Sequence, residues 1–298
     1  MSAEQSQPSE SSFVDSVASI IQDPPVSPDR VPRSRNTKKP PTPTAQSLFY
    51  ALKEEIIQTN GPSFIERGGI PPEIGYLVAR SLSEDDKVER KSVRISYNPI
   101  NQKLSIKMPS HIDDVIVNWG SNELVRAGVT GFFTIPELDE VSLSSTCRFD
   151  NFPIPWQSIY KEPDLVFVYG PMNHPTVLVE VGYSQSWPSL LQDKDVWFQA
   201  APTVNVIVFV KGDKRTNSRV AGYLELFRRG APNPTHIDIF PIPAPSAPQT
   251  LTFRRDDFYP PGTMLPAGRS TSDLWQWDIN NLRMRTINAM NAEGTVPA

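Results

Sequence analysis

A single cysteine, Cys147, stands in a chain of 298 residues, which excludes an internal disulfide and any zinc site built on several thiolates. Histidine is nearly as scarce. His111, His174 and His236 are spread too widely to suggest a clustered metal site, so any divalent metal is expected on carboxylate oxygens. No stretch approaches the ~18 consecutive apolar residues of a membrane-spanning helix. The N-terminal MSAEQSQPSESSFVDSV has neither the basic start nor the apolar core of a secretory signal. These absences predict a protein of a reducing compartment, nucleus or cytoplasm, with no membrane partner. Positive charge is not in excess either. The net charge is -4, and residues 1–44 hold five bases and five acids, so the remainder carries the whole deficit. A domain that coats nucleic acid through its overall field is thereby excluded, and any such contact must be local.

What is present is enough apolar residue, 38%, for a sizeable core in one large or two small domains. Residues 1–44 carry eight prolines and few aromatics, the composition of a disordered tail. Its bases, Arg30, Arg33, Arg35, Lys38 and Lys39, fall within ten residues. They read as a nuclear localisation signal or a phosphate-binding arm, or as a solvated linker. From Ala45 the pattern becomes globular, with a main domain expected over 45–268 and a C-terminal helix and tail over 269–298.

AQSLFYALKEEIIQ has helical spacing and stops at Asn60-Gly61-Pro62. PPEIGYLVARSL is a second helix, with proline in its first turn. SVRISYNPINQKLSIKM alternates on both sides of a turn and reads as a hairpin. Ser110 caps a helix predicted to run to Arg126. VSLSSTCRF, PDLVFVY, TVLVEVGYS and VNVIVFVK read as strands, the last three apolar enough to be buried on both faces. SWPSLLQDKDVWFQ is a helix between the last two strands. RVAGYLELFR and HIDIFPI add further strands, and SDLWQWDINNLRMRTINAM closes the chain as a helix. The order predicts an α/β fold with a mixed sheet flanked by helices.

Two carboxylates stand out. Asp164 opens one apolar strand, and Glu180 lies inside the next with aliphatic neighbours on both sides. A carboxylate in such a strand is costly to desolvate and calls for a partner or a metal. Acids on adjacent strands can converge on Mg²⁺, which keeps waters and leaves room for a phosphate oxygen.

The Pro163-Asp164 pair followed by Glu180 in an apolar strand resembles the PD-(D/E)XK nuclease superfamily. That pattern expects a lysine two residues after the acid, where this chain has Gly182. The string Glu180-Val-Gly-Tyr-Ser-Gln followed by Gln192-Asp-Lys-Asp is similar to the Uma-type restriction-endonuclease branch, in which the lysine moves into the following helix. LSIKMPSHIDDVIVN is similar to the opening of the same branch, and fungal proteins bearing EVGYSQS look alike. The resemblance covers residues 92–211.

It implies a restriction-endonuclease-like fold and a metal-dependent nuclease. Mg²⁺ or Mn²⁺ would be held by Asp164, Glu180 and the Val181 carbonyl, and Lys194 would act on the phosphate. The implied partner is nucleic acid, DNA ahead of RNA, with a homodimer as the form that cuts two strands. The alternative is a degenerate nuclease fold kept as a binding or protein-interaction module, which Gly182 and the acidic body favour.

Other residues have a second reading. Glu123 could add an acid to the site, and His111 could take a proton or simply cap its helix. Trp156, Trp187 and Trp197 could stack on bases or fill the core. Lys194 could lie on a solvated face, with Lys161 or Lys211 next in line. One expectation needs no structure. Limited proteolysis removes residues 1–44 and leaves the melting temperature unchanged, whereas a fall of several degrees on their deletion would show that they pack on the fold.

Overall fold

The hairpin read from the alternation over 92–108 forms as expected and is the middle of a small antiparallel sheet. The computed structural model describes residues 43–145, 147–171, 174–183, 185–244, 247 and 249–298, so the basic cluster of the tail lies outside the described residues. Helix α1 (Ala45–Gln58) starts on Thr44, whose Oγ1 accepts from the Ser47 N–H at 3.2 Å, and buries Leu48, Leu52 and Ile56. Strand β1 (Ser63–Arg67) and helices α2 (Pro72–Ser83) and α3 (Asp86–Glu89) follow. Strands β2 (Arg94–Asn98) and β3 (Lys103–Met108) pair with Ile95 opposite Ile106 and Tyr97 opposite Leu104, and β1 pairs with the other edge of β3. The inward residues pack on α1 and α2 as one core. The alternation that buries Leu104, Ile106 and Met108 turns Lys103, Ser105 and Lys107 to the opposite face, which meets the second layer.

That layer begins with α4 (His111–Val129), capped by Ser110, then α5 (Ile135–Glu140) and β4 (Val141–Ser144). The strand expected over 141–149 is therefore shorter than its alternation suggested. Strand β5 (Tyr160–Lys161) returns to the first sheet and pairs with β2. Next come β6 (Leu165–Tyr169), β7 (Val177–Val181), α6 (Trp187–Ala200), β8 (Val206–Lys214), β9 (Arg219–Arg228) and β10 (Thr235–Phe240). They form a sheet in the order β10-β9-β8-β7-β6-β4. β7 and β8 run parallel, with α6 as their crossover, and the other neighbours in that order are antiparallel. Val177, Val179 and Val181 pack with α4 on one face, while Leu178 packs with Leu190, Val196 and Trp197 of α6 on the other. The architecture is mixed α/β.

The last segment departs from the expected single helix. Strand β11 (Thr250–Arg254) pairs with β12 (Leu274–Asp278), so Leu274–Asp278 is strand, and α7 (Ile279–Ala292) begins only after it. Trp275 and Trp277 alternate inward against Phe253, a period of two that overrides the helical spacing of the same letters. Asp278 then caps α7, accepting from the Asn280 N–H at 2.8 Å. Helix α7 packs along α4, and β13 (Val296–Pro297) pairs with β9. Residues 43–298 thus belong to one compact unit. Among the described residues no helix is long and apolar enough to cross a membrane.

Candidate active site

The register of the β6–β7 ladder pairs Leu165 with Val179 and, continued by one step, sets Asp164 opposite Glu180. The two acids singled out by sequence are therefore brought together at the end of adjacent antiparallel strands. Asp164 is buried, and its Oδ2 accepts from the Val181 N–H at 2.7 Å and from the Lys107 ammonium at 2.6 Å. The same ammonium donates to the Val181 carbonyl at 2.9 Å and pairs with Asp113 Oδ1. Asp113 is itself held by the α4 capping box, its Oδ2 accepting from the Ser110 N–H at 2.6 Å and Oγ at 2.8 Å. All three N–H groups of Lys107 thus face protein oxygens. Burial opposes its charge, but Asp164 and Asp113 outweigh burial and hold the ammonium well above the usual lysine range.

Lys107 and Asp113 are the site residues that the sequence reading missed. Both lie in the segment LSIKMPSHIDDVIVN, but the lysine is 57 residues from Asp164 and sits on the polar face of a hairpin. That position looks like ordinary solvated surface until the second layer is placed against it.

Glu180 has a different environment. Among the described residues no hydrogen-bond or ion-pair partner reaches its carboxyl group. Burial, with Asp164 and Asp193 nearby, pushes its pKa up to about 8 against the pull of Lys107 and Lys161. Lys161 is buried and paired with Asp193 of α6, whose Oδ2 accepts from Gln185 Nε2 at 2.9 Å. The acid pair is therefore flanked by two lysines, the half-buried Lys107 from β3 and the buried Lys161 from β5.

Several expected participants lie elsewhere. Lys194 is paired with Asp195, and its ammonium lies 5.5 Å from the centroid of Phe227, on β9. That strand is two places beyond β7, away from β6 and Asp164. Successive helix residues turn by ~100°, so placing Asp193 towards Lys161 carries Lys194 away. The Val181 carbonyl, expected as a metal ligand, accepts from Lys107. Glu123 is buried farther along α4, where its Oε1 accepts from Arg126 at 3.1 Å and the Asp278 N–H at 3.2 Å, a tie between α4 and the C-terminal segment. His111 is exposed, its backbone N–H donating to Glu293. Trp187 and Trp197 pack on core aromatics, and Trp156 lies against the same cluster. Lys211 pairs with Asp213 at 2.8 Å near the end of β8.

A cleft of about 750 Å³ reaches Asp164 and Asp113 from outside, lined among others by Lys91, Arg94, His111 and Lys214, and Glu180 is not part of its lining. Among the described residues no group of three or more His, Cys, Asp and Glu side chains is placed to hold a metal ion. Asp164 and Glu180 nevertheless form a hard-oxygen pair. Mg²⁺ is often held by one or two carboxylates, its remaining positions going to water and substrate phosphate. The donor chemistry therefore fits that ion, with proton loss from Glu180 as a condition. No protein-family model, curated protein or solved structure matches the chain.

Two expected outcomes follow from this geometry. The absent lysine at 182 does not leave a space, because a Cβ on Gly182 would lie 2.4 Å from Leu190 Cδ1. Gly182→Lys should therefore cost about 1–3 kcal/mol or more of unfolding free energy, read as a lower urea midpoint; an unchanged midpoint would show that α6 yields easily. The second outcome concerns pH. Glu180 binds its proton more tightly folded than unfolded, so its contribution to stability is complete below its unfolded value near 4.5 and lost as pH rises through about 8. Thermal melts from pH 5 to 9 should show Glu180→Gln declining less than wild type, by on the order of 3 kcal/mol across the range. Parallel curves would remove the case for a half-buried Glu180 that holds its proton.

Proposed function

We propose that the chain is a divalent-cation-dependent hydrolase of phosphodiester bonds in nucleic acid, DNA ahead of RNA, with Asp164, Glu180 and Lys107 as its working residues. The observation that carries this reading is the Lys107 ammonium on Asp164 and Val181, which brings a lysine to the acid pair although Gly182 occupies its usual place. The order α4, β4, β6, β7, α6, β8, with the last two strands parallel, agrees with a restriction-endonuclease-like core. The lysine expected from α6 is replaced in the reading by one from β3.

Asp164 and Glu180 would hold Mg²⁺ or Mn²⁺, which supplies Lewis-acid polarisation of the phosphodiester and a more acidic water. The chain's own groups have separable tasks. Lys91, Arg94 and Lys214 in the cleft meet the anionic backbone. Lys107, charged and held by Asp113, would act on the phosphate through its positive charge as negative charge builds on the non-bridging oxygen. Glu180 must release its proton before it can act as a ligand, so activity should rise with pH through about 8 and level off only above it.

One observation favours the second reading, a degenerate nuclease fold that binds without cutting. With all three Lys107 donors satisfied and Glu180 protonated, the cluster is already close to charge balance. Incubating the full-length chain with single- and double-stranded DNA and with RNA, in Mg²⁺, in Mn²⁺ and in EDTA, separates the two. Metal-dependent cleavage is expected, with a loss of about 100-fold or more in Asp164→Asn and Lys107→Met and no change in Lys194→Ala. Binding without cleavage under every metal condition would establish the degenerate reading.

A further inference from the structure

The contacts of Lys107 form a cage as well as an ion pair. Asp113 Oδ1, Asp164 Oδ2 and the Val181 carbonyl converge on one ammonium from three elements. Each oxygen is fixed by a bond that does not involve the lysine. Asp113 is held by Ser110, Asp164 by the Val181 N–H, and the β7 end by the Gly182 N–H on the Val210 carbonyl at 2.9 Å. The cage is therefore organised without its occupant. Both side-chain carboxylates are nine-tenths buried, and Asp113 Oδ1 makes no hydrogen bond among the described residues apart from the charge contact with Lys107. The donors are all hard oxygens with a summed charge of two negatives, the preference of Mg²⁺, Mn²⁺ and Ca²⁺. A small void of about 10 Å³, lined by Lys107, Asp113, Val181 and Gln185, adjoins the cage, and the larger cleft reaches Asp113 and Asp164, so water and ions have access.

We infer that the Lys107 ammonium is a resident substitute for a divalent cation: Asp113, Asp164 and the Val181 carbonyl form a metal site that the native chain fills with its own lysine. The inference shares Asp164 with the proposed nuclease centre but does not depend on cleavage. Under the nuclease reading it adds a stoichiometry, one metal per native chain on Asp164 and Glu180, with the second cation position taken by the ammonium. The lysine permanently offsets one of the two negative charges of buried acids that would otherwise need an ion from solution.

The test counts Mn²⁺ bound per full-length chain at pH 8.5 by electron paramagnetic resonance titration, with calorimetry alongside. Lys107→Ala should bind one more Mn²⁺ than wild type and melt several degrees higher with the ion than without it. Adding Asp113→Asn should remove that extra ion. Lys107→Ala that folds only in Mn²⁺ also supports the inference. If that variant folds in neither condition, the count is made on Lys107→Gln, which keeps the stem and brings an oxygen that can itself ligate. Equal counts in wild type and the folded variant overturn the proposal. The two readings fail separately. No ion in wild type and one in the variant removes the nuclease metal and keeps the cage, whereas one ion in each removes the cage and keeps the nuclease metal.

Discussion

The ammonium of Lys107 ties together four parts of the molecule: strand β3, the first turn of α4, the residue that leads into β6, and the end of β7. Without a cation at this point, Asp113 and Asp164 would repel each other at the base of a cleft, each already penalised by burial. Neutralising one of two buried acids with lysine leaves a single net charge, and three short polar contacts replace the water that the ammonium loses on burial. The apolar alternation of β3 makes this possible. It commits Leu104, Ile106 and Met108 to one core and frees the other face to carry a charge into the seam between the layers.

Glu180 is the cost that remains. Its strand is otherwise aliphatic, both faces of the sheet are covered, and an amide or a leucine at this position would pack without the penalty of a carboxyl whose pKa is pushed to about 8. A carboxyl with so displaced a pKa beside charged neighbours is a candidate for a chemical task. The surroundings moderate the shift without removing it. Lys107 and Lys161 pull towards the charged form, while Asp164 and Asp193 push the other way. The proton on Glu180 is thus poised, and a divalent cation or an approaching phosphate would change the balance in opposite directions.

The sequence made some of this legible for clear physical reasons. Strands buried on both faces are continuous apolar runs, so β6, β7 and β8 could be read directly. In the structure the antiparallel pairing of β6 with β7 then places Asp164 beside Glu180. The cap of α4 was equally plain, because Ser110 precedes a helical pattern. What could not be read was contact between layers. Lys107 alternates with core residues exactly as a solvated lysine does, and the partner carboxylates lie in other elements. Near the C-terminus the letters SDLWQWD satisfy both a helical and a two-residue period. The pairing partner Thr250–Arg254, which decides between them, lies outside that string.

The placement of Lys194 shows how a small error in a helical face moves a functional group. A buried stripe of Leu190, Leu191, Trp197 and Phe198 would be centred on Lys194 and would turn it towards the acids. The residues actually buried are Ser189, Leu190, Val196, Trp197 and Ala200, with Leu191 and Phe198 only partly so. At ~100° per residue, that set is centred on Asp193, with Lys194 about a quarter-turn away. Asp193 therefore faces the sheet, where Lys161 meets it, and the flexible stem of Lys194 lies instead over Phe198 and Phe227. A helix in this position can offer the acid pair one of the two residues, and the packing of Trp197 and Val196 has chosen the aspartate. The lysine at the acid pair comes instead from a strand, where the ladder on both sides fixes the Cα and only the side chain is free to adjust.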